Sequence, residues 1–283
     1  MKAKAETPLL NWPGGKRFLA SRLTQAIRLI SPQHYCEPFA GGAAVFFALK
    51  PKSGTLSDIN SNLINLYNVV REEPSDLIDI LSSDFYRNCK TNYYNIRNYR
   101  PTSSLRKAAR FYFLQRFSFN GIYRENLNGI FNVPYGYKTT LPQADEAQIM
   151  QCSETLQGTL TFCGDFTESM RIRNKNTVVY ADPPYTTSHN QNGFIKYNQN
   201  IFSLSDQYRL AEKARQLASR DVHVIVSNAN HAAIDKLYQF NFRKLVISRF
   251  SKIAAASEAR KIVTEAIYIS KHTPREIDSI ICS

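Results

Sequence analysis

The sequence has few of the features that mark exported, membrane-spanning or zinc-binding proteins. Its five cysteines are scattered and include no C-x-x-C pair, so neither a disulfide framework nor a zinc site is indicated. No apolar run approaches the roughly 18 residues that a membrane-spanning helix needs, and no apolar stretch follows the charged start of the chain. We therefore expect a soluble, unexported protein of the cytoplasm, with no membrane partner.

Acidic residues are scarce in one part of a chain that is basic overall, with a net charge of +13. Between Phe85 and Thr140 there are ten Lys and Arg residues, and Glu125 is the only acid. The same stretch holds fourteen of the 34 aromatic residues. Basic side chains interleaved with rings neutralise phosphates and offer ring faces to bases. A solvated basic face over an aromatic core is the alternative, but the size of the imbalance favours a nucleic-acid partner.

The rest of the chain shows the alternation of strands and helices that is typical of a parallel sheet. Residues 35–39 predict a buried strand, 40–42 a glycine turn and 43–49 a helix, and a second strand and helix follow over 54–59 and 60–71. Further strands are predicted over 159–163, 177–181, 222–227, 243–250 and 262–269, with helices over 204–219 and 231–239. We therefore expect an α/β protein with a Rossmann-like, doubly wound, mostly parallel sheet.

An insertion interrupts this alternation. From about residue 75 to 140 the pattern changes to amphipathic helices rich in Arg and Tyr, followed by a hairpin or ordered loop over 126–137. The predicted organisation is a discontinuous, catalytic-type α/β domain over 1–72 and 145–275, an inserted, mainly helical domain over 73–144, and a C-terminal tail over 276–283.

Glycines end the first predicted strand, in the motif Glu37-Pro38-Phe39-Ala40-Gly41-Gly42, and Asp58 ends the second. Glycines let the backbone approach a ligand, and a strand-terminal acid accepts hydrogen bonds from ribose hydroxyls, so a nucleoside-containing cofactor is indicated. An ordinary glycine turn and an ordinary strand end are equally good explanations of this motif alone.

A second glycine motif, Trp12-Pro13-Gly14-Gly15-Lys16, is not a phosphate-binding P-loop. That pattern needs a glycine where Leu10 stands and a serine or threonine where Arg17 stands. Trp12, the only tryptophan, either walls a ligand pocket or caps the turn by packing.

The motif Asp182-Pro183-Pro184-Tyr185 follows the apolar strand predicted over 177–181. Prolines fix the backbone and have no N–H to donate. Such a corner can accept both hydrogens of an amino group, at the Asp182 carboxylate and the Pro183 carbonyl, while Tyr185 stacks on a planar heterocycle. A purely structural turn with two prolines is the alternative.

Together these motifs resemble the Dam-type DNA adenine-N6 methyltransferases of the D12 class, in which the cofactor motif precedes the recognition insert and D-P-P-Y follows it. The resemblance covers about residues 7–270. The motifs that carry it are Trp12-x-Gly14-Gly15-Lys16, Glu37-Pro38-Phe39-x-Gly41-Gly42, Asp58, Asn120-Gly121-x-x-Arg124, Phe131-Asn132-Val133-Pro134-Tyr135-Gly136, Gly164-Asp165-Phe166 and Asp182-Pro183-Pro184-Tyr185.

The resemblance implies S-adenosylmethionine (SAM) as the cofactor. It places Trp12 and Lys16 near the methionine end, Asp58 on the ribose, and Asp165 with the Phe166 backbone on the adenine ring. For Lys16 a surface cation, and for Asp165 a helix cap, are the alternatives. The full set of implied cofactor residues is Trp12, Lys16, Glu37, Pro38, Phe39, Ala40, Gly41, Gly42, Asp58, Asp165, Phe166 and Asp182, and the catalytic set is Asp182, Pro183, Pro184 and Tyr185.

The resemblance also implies double-stranded DNA as the substrate, with GATC or a related sequence as the target. Phe119 is a candidate wedge into the base stack, and Arg124 is either a reader of guanine or a phosphate contact. Asn11 stands where the best-known members have a lysine, and no arginine follows Gly136. The implied DNA-binding residues are Arg116, Phe119, Asn120, Arg124, Asn132, Pro134, Tyr137 and Lys138.

The implied reaction needs the target adenine outside the duplex, with segment 188–202 as a flap over it. No metal is required, and we expect a monomer encoded by a bacterium or a phage. The alternatives are a methyltransferase acting on RNA adenine or protein glutamine, because the same corner serves those amino groups, and a DNA-binding protein without catalysis.

Overall fold

The computed structural model describes residues 8–126, 129–138, 140–172, 174–185, 202–250 and 262–283. The described elements, in chain order, are α1 (Arg17–Ile30), β1 (His34–Glu37), α2 (Ala44–Leu49), β2 (Gly54–Asp58), α3 (Ser61–Glu72), α4 (Pro74–Ser82), α5 (Lys90–Asn98), α6 (Ser104–Phe117), α7 (Glu146–Leu156), β3 (Thr159–Cys163), α8 (Phe166–Ser169), β4 (Thr177–Ala181), α9 (Leu204–Ala218), β5 (His223–Ala229), α10 (Ala232–Tyr238), β6 (Phe242–Phe250), β7 (Ile262–Ser270) and α11 (Glu276–Cys282).

The strands form a seven-stranded sheet in the order β3-β2-β1-β4-β5-β7-β6. β1 pairs with β4, β4 with β5 and β2 with β3 in parallel, whereas β7 runs antiparallel to both β5 and β6. The predicted α/β fold with a mostly parallel sheet is therefore confirmed. In the described part of the chain, no helix is both long enough and apolar enough to cross a membrane.

The chain divides into two compact units. Unit 1 contains the described residues through Ser21 and Ala40–Gly164, and unit 2 contains Arg22–Phe39 and Asp165–Ser283.

Unit 1 contains the strand pair β2 and β3 and most of the helices. Helix α3 begins after Asn60, whose side chain accepts hydrogen bonds from the backbone N–H groups of Asn62 and Leu63. Its apolar residues recur at helical spacing and are buried, and it packs against α6 and α7. The segment predicted as a helical insertion contains α4, α5 and α6, and it belongs to the same compact unit as α2, α3 and α7.

Unit 2 is built around β4, whose five residues are all buried. The side chains of its main core cluster come chiefly from β4, β5, α9 and α10. Helix α9 begins with a capping box, in which Ser203 and Asp206 each bond the backbone N–H of the other. The capping box explains why α9 begins at Leu204.

The last helix, α11, occupies residues that the sequence analysis predicted as a tail. Ile277 and Ile281 are fully buried in unit 2. Arg243 on β6 donates to both carboxylate oxygens of Asp278, at 2.7 to 3.0 Å, and to three backbone carbonyls at the end of β7. A single guanidinium thus ties α11 to the β6–β7 pair.

Candidate functional site

The glycine turn after β1 is held in place within unit 1 by two side chains. The Gly41 N–H donates to Asp58 Oδ2 at 3.0 Å, and the Tyr67 hydroxyl donates to the Gly41 carbonyl at 2.5 Å. Gly41 has φ +46°, a left-handed conformation that glycine adopts without strain. The turn begins at Ala40, which is buried and donates its N–H to the Ser57 carbonyl at 2.8 Å.

Trp12 packs directly on this turn. A Cβ atom on Gly41 or on Gly42 would lie 2.9 Å from the tryptophan side chain, so only glycine fits at either position. The indole also stacks on Tyr123, with ring centroids 6.1 Å apart and planes 18° apart, and contacts Phe111. Trp12 therefore caps the turn by packing, which was one of the two interpretations of its motif.

Asp58 ends β2, as predicted, and its carboxylate faces the turn. Oδ2 accepts from Gly41, and Oδ1 accepts from the Asn60 N–H at 2.9 Å. Burial raises the pKa of this carboxyl, and the backbone hydrogen bonds offset part of that rise. Because a carboxylate has about four lone-pair sites, these two bonds leave acceptor capacity for a further donor.

Lys16 is buried rather than exposed, with a fractional exposure of 6%. Its ammonium donates to the Gly14 carbonyl at 3.3 Å. This burial contradicts the interpretation of Lys16 as an ordinary surface cation.

The segment that follows α6 folds back on itself as a loop with hairpin character, as predicted. Two isolated antiparallel bridges, Ser118 to Tyr135 and Glu125 to Phe131, pair its two sides. We call residues 118–138, as far as they are described, the recognition loop.

Six of the eight residues predicted to contact DNA are exposed on the recognition loop: Phe119, Asn120, Arg124, Asn132, Pro134 and Tyr137. Phe119 is 52% exposed and Tyr137 is 64% exposed. Arg124 Nε donates to Asn132 Oδ1 at 2.9 Å, so these two side chains support each other.

The other two predicted DNA contacts, Arg116 and Lys138, take part in internal interactions. Arg116 donates to the Pro142 carbonyl, pairs with Asp145 at 3.6 Å and lies over the ring of Tyr112. The Lys138 ammonium donates to the Arg116 carbonyl at 2.8 Å, and burial lowers its pKa. The Lys138 side chain therefore links the end of the recognition loop to α6, and the Arg116 side chain links α6 to residues before α7.

Buried polar side chains that the sequence analysis did not identify also fix this loop. Gln115, 1% exposed, donates to the carbonyls of Asn11 and Gly121 at 2.6 and 3.1 Å. The Tyr93 hydroxyl donates to the Val133 carbonyl at 3.1 Å. The one sign of this role in the sequence is that Gln115 is a polar residue within the apolar run of α6.

In unit 2, the motif that ends β1 is largely buried. Glu37 is 3% exposed and accepts a hydrogen bond from the Tyr35 hydroxyl at 2.6 Å, and Pro38 is also buried. The Phe39 ring lies 5.2 Å from the Phe166 ring and 5.4 Å from the Phe202 ring. The structure therefore brings two of the predicted cofactor residues, Phe39 and Phe166, together.

Asp165 caps α8, as the alternative interpretation proposed. Its Oδ1 accepts from the Thr167 N–H at 2.9 Å and from the Thr167 hydroxyl. Its Oδ2 accepts from Arg209 at 2.8 Å. Desolvation raises the pKa of this carboxyl, but the hydrogen bonds from Thr167 and Arg209 outweigh it, and the net effect is a lowered pKa.

The corner after β4 has the predicted form. Buried β4 ends at Ala181, and Asp182, Pro184 and Tyr185 are partly exposed. The Tyr185 hydroxyl donates to Glu265 Oε2 at 3.1 Å, and Glu265 on β7 is 1% exposed. Glu265 was not identified from the sequence, because an acid in an apolar strand gives no sign of its partner.

A second buried polar pair lies on the neighbouring strand of unit 2. Asn228, near the end of β5, donates to Gln207 Oε1 on α9 at 2.9 Å, and both side chains are fully buried. This bond links α9 to the same end of the sheet as the corner. Segment 188–201, predicted as part of a flap, lies outside the described residues.

Comparisons of the sequence with known proteins find a family of DNA methyltransferases and several of its members. Residues 12–253 match the family model of the D12 class N6 adenine-specific DNA methyltransferases. The chain is 34% identical over 272 residues to the type II methyltransferase M1.LlaDCHI of Lactococcus lactis subsp. cremoris, covering 92% of this chain and 94% of that relative.

Two further relatives come from other organisms. The DNA adenine methylase of Escherichia coli K12 is 33% identical over 275 residues, covering 95% of this chain and 96% of that protein. The type II methyltransferase M.MjaIII of Methanocaldococcus jannaschii is 34% identical over 264 residues, covering 86% and 91%.

Proposed function

The chain belongs to the D12 class N6 adenine-specific DNA methyltransferases, and we propose that it transfers a methyl group from SAM to the N6 atom of an adenine in GATC or a related short duplex site. The observation that carries this proposal is the corner after β4, where Asp182-Pro183-Pro184-Tyr185 follows a fully buried strand. Family membership favours DNA over the RNA and protein substrates that the corner alone leaves open.

We propose that Asp182 and Pro183 activate the adenine. Its amino nitrogen is a weak nucleophile because the lone pair is delocalised into the ring. The Asp182 carboxylate and the Pro183 carbonyl would each accept a hydrogen bond from one N–H of the amino group. These two bonds favour a more tetrahedral nitrogen with a localised lone pair. Tyr185, oriented by its bond to Glu265, would stack on the purine.

The residues fit SAM as the methyl donor. The Asp165 side chain is 41% exposed and directly precedes Phe166, the first residue of α8. Its carboxylate therefore offers an acceptor for the amino group of the adenine ring of SAM. Asp58 keeps acceptor capacity for a ribose hydroxyl. When bound, SAM supplies a methyl group activated by its sulfonium, so what remains for the protein is positioning.

We propose that the recognition loop binds the duplex and that the target base leaves the stack. Its exposed Phe119 is the candidate wedge, and Arg124, supported by Asn132, is the candidate reader of guanine. Lys138 links the end of the loop to α6, and the Arg116 side chain bonds Pro142 and Asp145 beyond the loop. We place the activity on bacterial or phage DNA in the cytoplasm.

The test is methyl transfer from radiolabelled SAM to duplexes with and without GATC. Asp182→Ala should abolish transfer, a loss of at least about a hundredfold for a group that stabilises the reacting atom, while much DNA affinity remains. Asp79→Ala, which removes an exposed carboxylate on α4, is the matched control and should leave transfer unchanged. Normal turnover by Asp182→Ala would refute the assignment, and an inactive unaltered chain would favour a DNA-binding protein without catalysis.

A further inference from the structure

Arg209 on α9 links two carboxylates of unit 2. One terminal nitrogen donates to Asp165 Oδ2 and the other donates to Asp206 Oδ1, both at 2.8 Å. The guanidinium carbon also lies 5.0 Å from the centroid of the Phe166 ring. Arg209 is thus held at both ends and by a ring, although it is not part of any motif that the sequence analysis identified.

Its second partner is itself fixed. Asp206 Oδ2 accepts from the Ser203 N–H at 2.9 Å and from the Ser203 hydroxyl at 2.8 Å, as part of the capping box of α9. The rigid first turn of α9 therefore sets the position of the Arg209 guanidinium, and Arg209 in turn contacts Asp165.

At Asp165 both carboxylate oxygens are engaged. Thr167 bonds Oδ1 and Arg209 bonds Oδ2, so the plane of the carboxylate is fixed. Oδ1 accepts two bonds from Thr167, whereas Oδ2 accepts one from Arg209 and keeps a lone pair for a further donor. The Asp165 side chain is 41% exposed, so such a donor has access to it.

We infer that Arg209 is a positioning residue for the cofactor: it orients the Asp165 carboxylate to accept the amino group of the adenine ring of SAM. This inference rests on the proposed function, in which Asp165 binds that ring. Since the ion pair is exposed, its contribution to folding is small, and its main effect falls on ligand binding.

The test is a double-mutant cycle measured by calorimetric binding of S-adenosylhomocysteine to the full chain. Arg209→Ala should weaken binding about fivefold, which corresponds to the net value of one hydrogen bond. In the Asp165→Ala background, Arg209→Ala should leave the affinity for S-adenosylhomocysteine unchanged, because Arg209 acts through Asp165. Arg209→Lys keeps the charge but not the two-ended fork, so its loss should be smaller, about twofold.

Arg215→Ala is the matched control, since Arg215 lies on the same helix, is 40% exposed and pairs with Glu212. It should bind S-adenosylhomocysteine like the unaltered chain. Thermal unfolding of each variant checks the fold independently of binding.

The outcomes separate this inference from the proposal on which it rests. Equal losses with and without Asp165, or unchanged binding by Arg209→Ala, would overturn the role of Arg209. Failure of the unaltered chain to bind S-adenosylhomocysteine would instead overturn the cofactor assignment, and the inference with it.

Discussion

The Asp58 and Asp165 carboxylates both have structural roles in addition to the ligand roles proposed for them. Both carboxylates accept backbone N–H groups, Asp58 from Gly41 and Asn60, and Asp165 from Thr167. These bonds fix the direction of each carboxylate without using all of its lone pairs. A structural role and a ligand role are therefore compatible at the same residue, and the backbone bonds provide the preorganisation that ligand binding needs.

Arg124 is the residue on which sequence discrimination should depend. Asn132 accepts a hydrogen bond from Arg124 Nε, which orients the guanidinium. The two terminal nitrogens of Arg124 can then donate to O6 and N7 of guanine. Arg124→Ala should reduce discrimination at one base pair by about 1–3 kcal/mol. The measurement is methylation of a panel of duplexes, each with one base pair of the site changed.

Arg87→Ala is the control for this panel. Arg87 is exposed and forms an ion pair with Asp84, three residues earlier. We expect its removal to weaken binding to all duplexes alike or to leave it unchanged, because a phosphate contact carries no sequence information. A sequence profile that stays the same in Arg124→Ala would exclude it as a base reader.

Some residue-scale features could be predicted from the sequence and others could not. The motif residues were identifiable because chemistry and spacing recur together. Gln115 and Glu265 were not, since each is a single polar residue in an apolar segment and its partner is distant in sequence. Gln115 bonds Asn11, 104 residues earlier, and Tyr185 and Glu265 are 80 residues apart.

At the scale of elements, periodicity predicted all seven strands and the helices that follow most of them. Helix α1 was omitted although its pattern is clear, with Leu19, Leu23 and Ile27 four residues apart and all fully buried. The seven-residue α11 is too short for periodicity to identify, and the Arg243 bonds that hold it come from another part of the chain.

The glycine turn offers a prediction at this scale. Gly41→Ala would bring a Cβ within 2.9 Å of Trp12 and would also place alanine at φ +46°. The left-handed conformation costs about 1–2 kcal/mol and the overlap a further 1–3 kcal/mol or so. Urea unfolding should show both losses, and binding of S-adenosylhomocysteine should weaken because the turn shifts.

Gly129→Ala separates the two causes. Gly129 also has a positive φ, +68°, but no atom lies within 4 Å of its Cβ position. Its substitution should therefore show the conformational loss alone. If both variants lost the same free energy of unfolding, the Trp12 side chain would have moved to make room for the added Cβ. Packing against Trp12 would then not require glycine at position 41.

At the scale of the whole molecule, unit 1 contains the strongly basic segment between Phe85 and Thr140. Six of the ten basic residues between Phe85 and Thr140 are exposed: Arg87, Lys90, Arg100, Arg106, Lys107 and Arg124. The aromatic residues of the same stretch are mostly buried. The rings therefore form a core that the cations cover, as the alternative interpretation predicted, while Phe119 and Tyr137 remain exposed.

This distribution predicts that affinity for duplex DNA falls steeply with salt. Each phosphate contact should contribute about −0.9 to the slope of log K against log salt concentration, so Arg100→Ala should make the slope shallower by about one if Arg100 contacts the backbone. Lys236→Ala, which removes an exposed lysine from α10 in unit 2, should leave the slope unchanged. Fluorescence anisotropy at several salt concentrations measures both, and a dissociation constant that does not vary with salt would contradict phosphate binding by the basic segment.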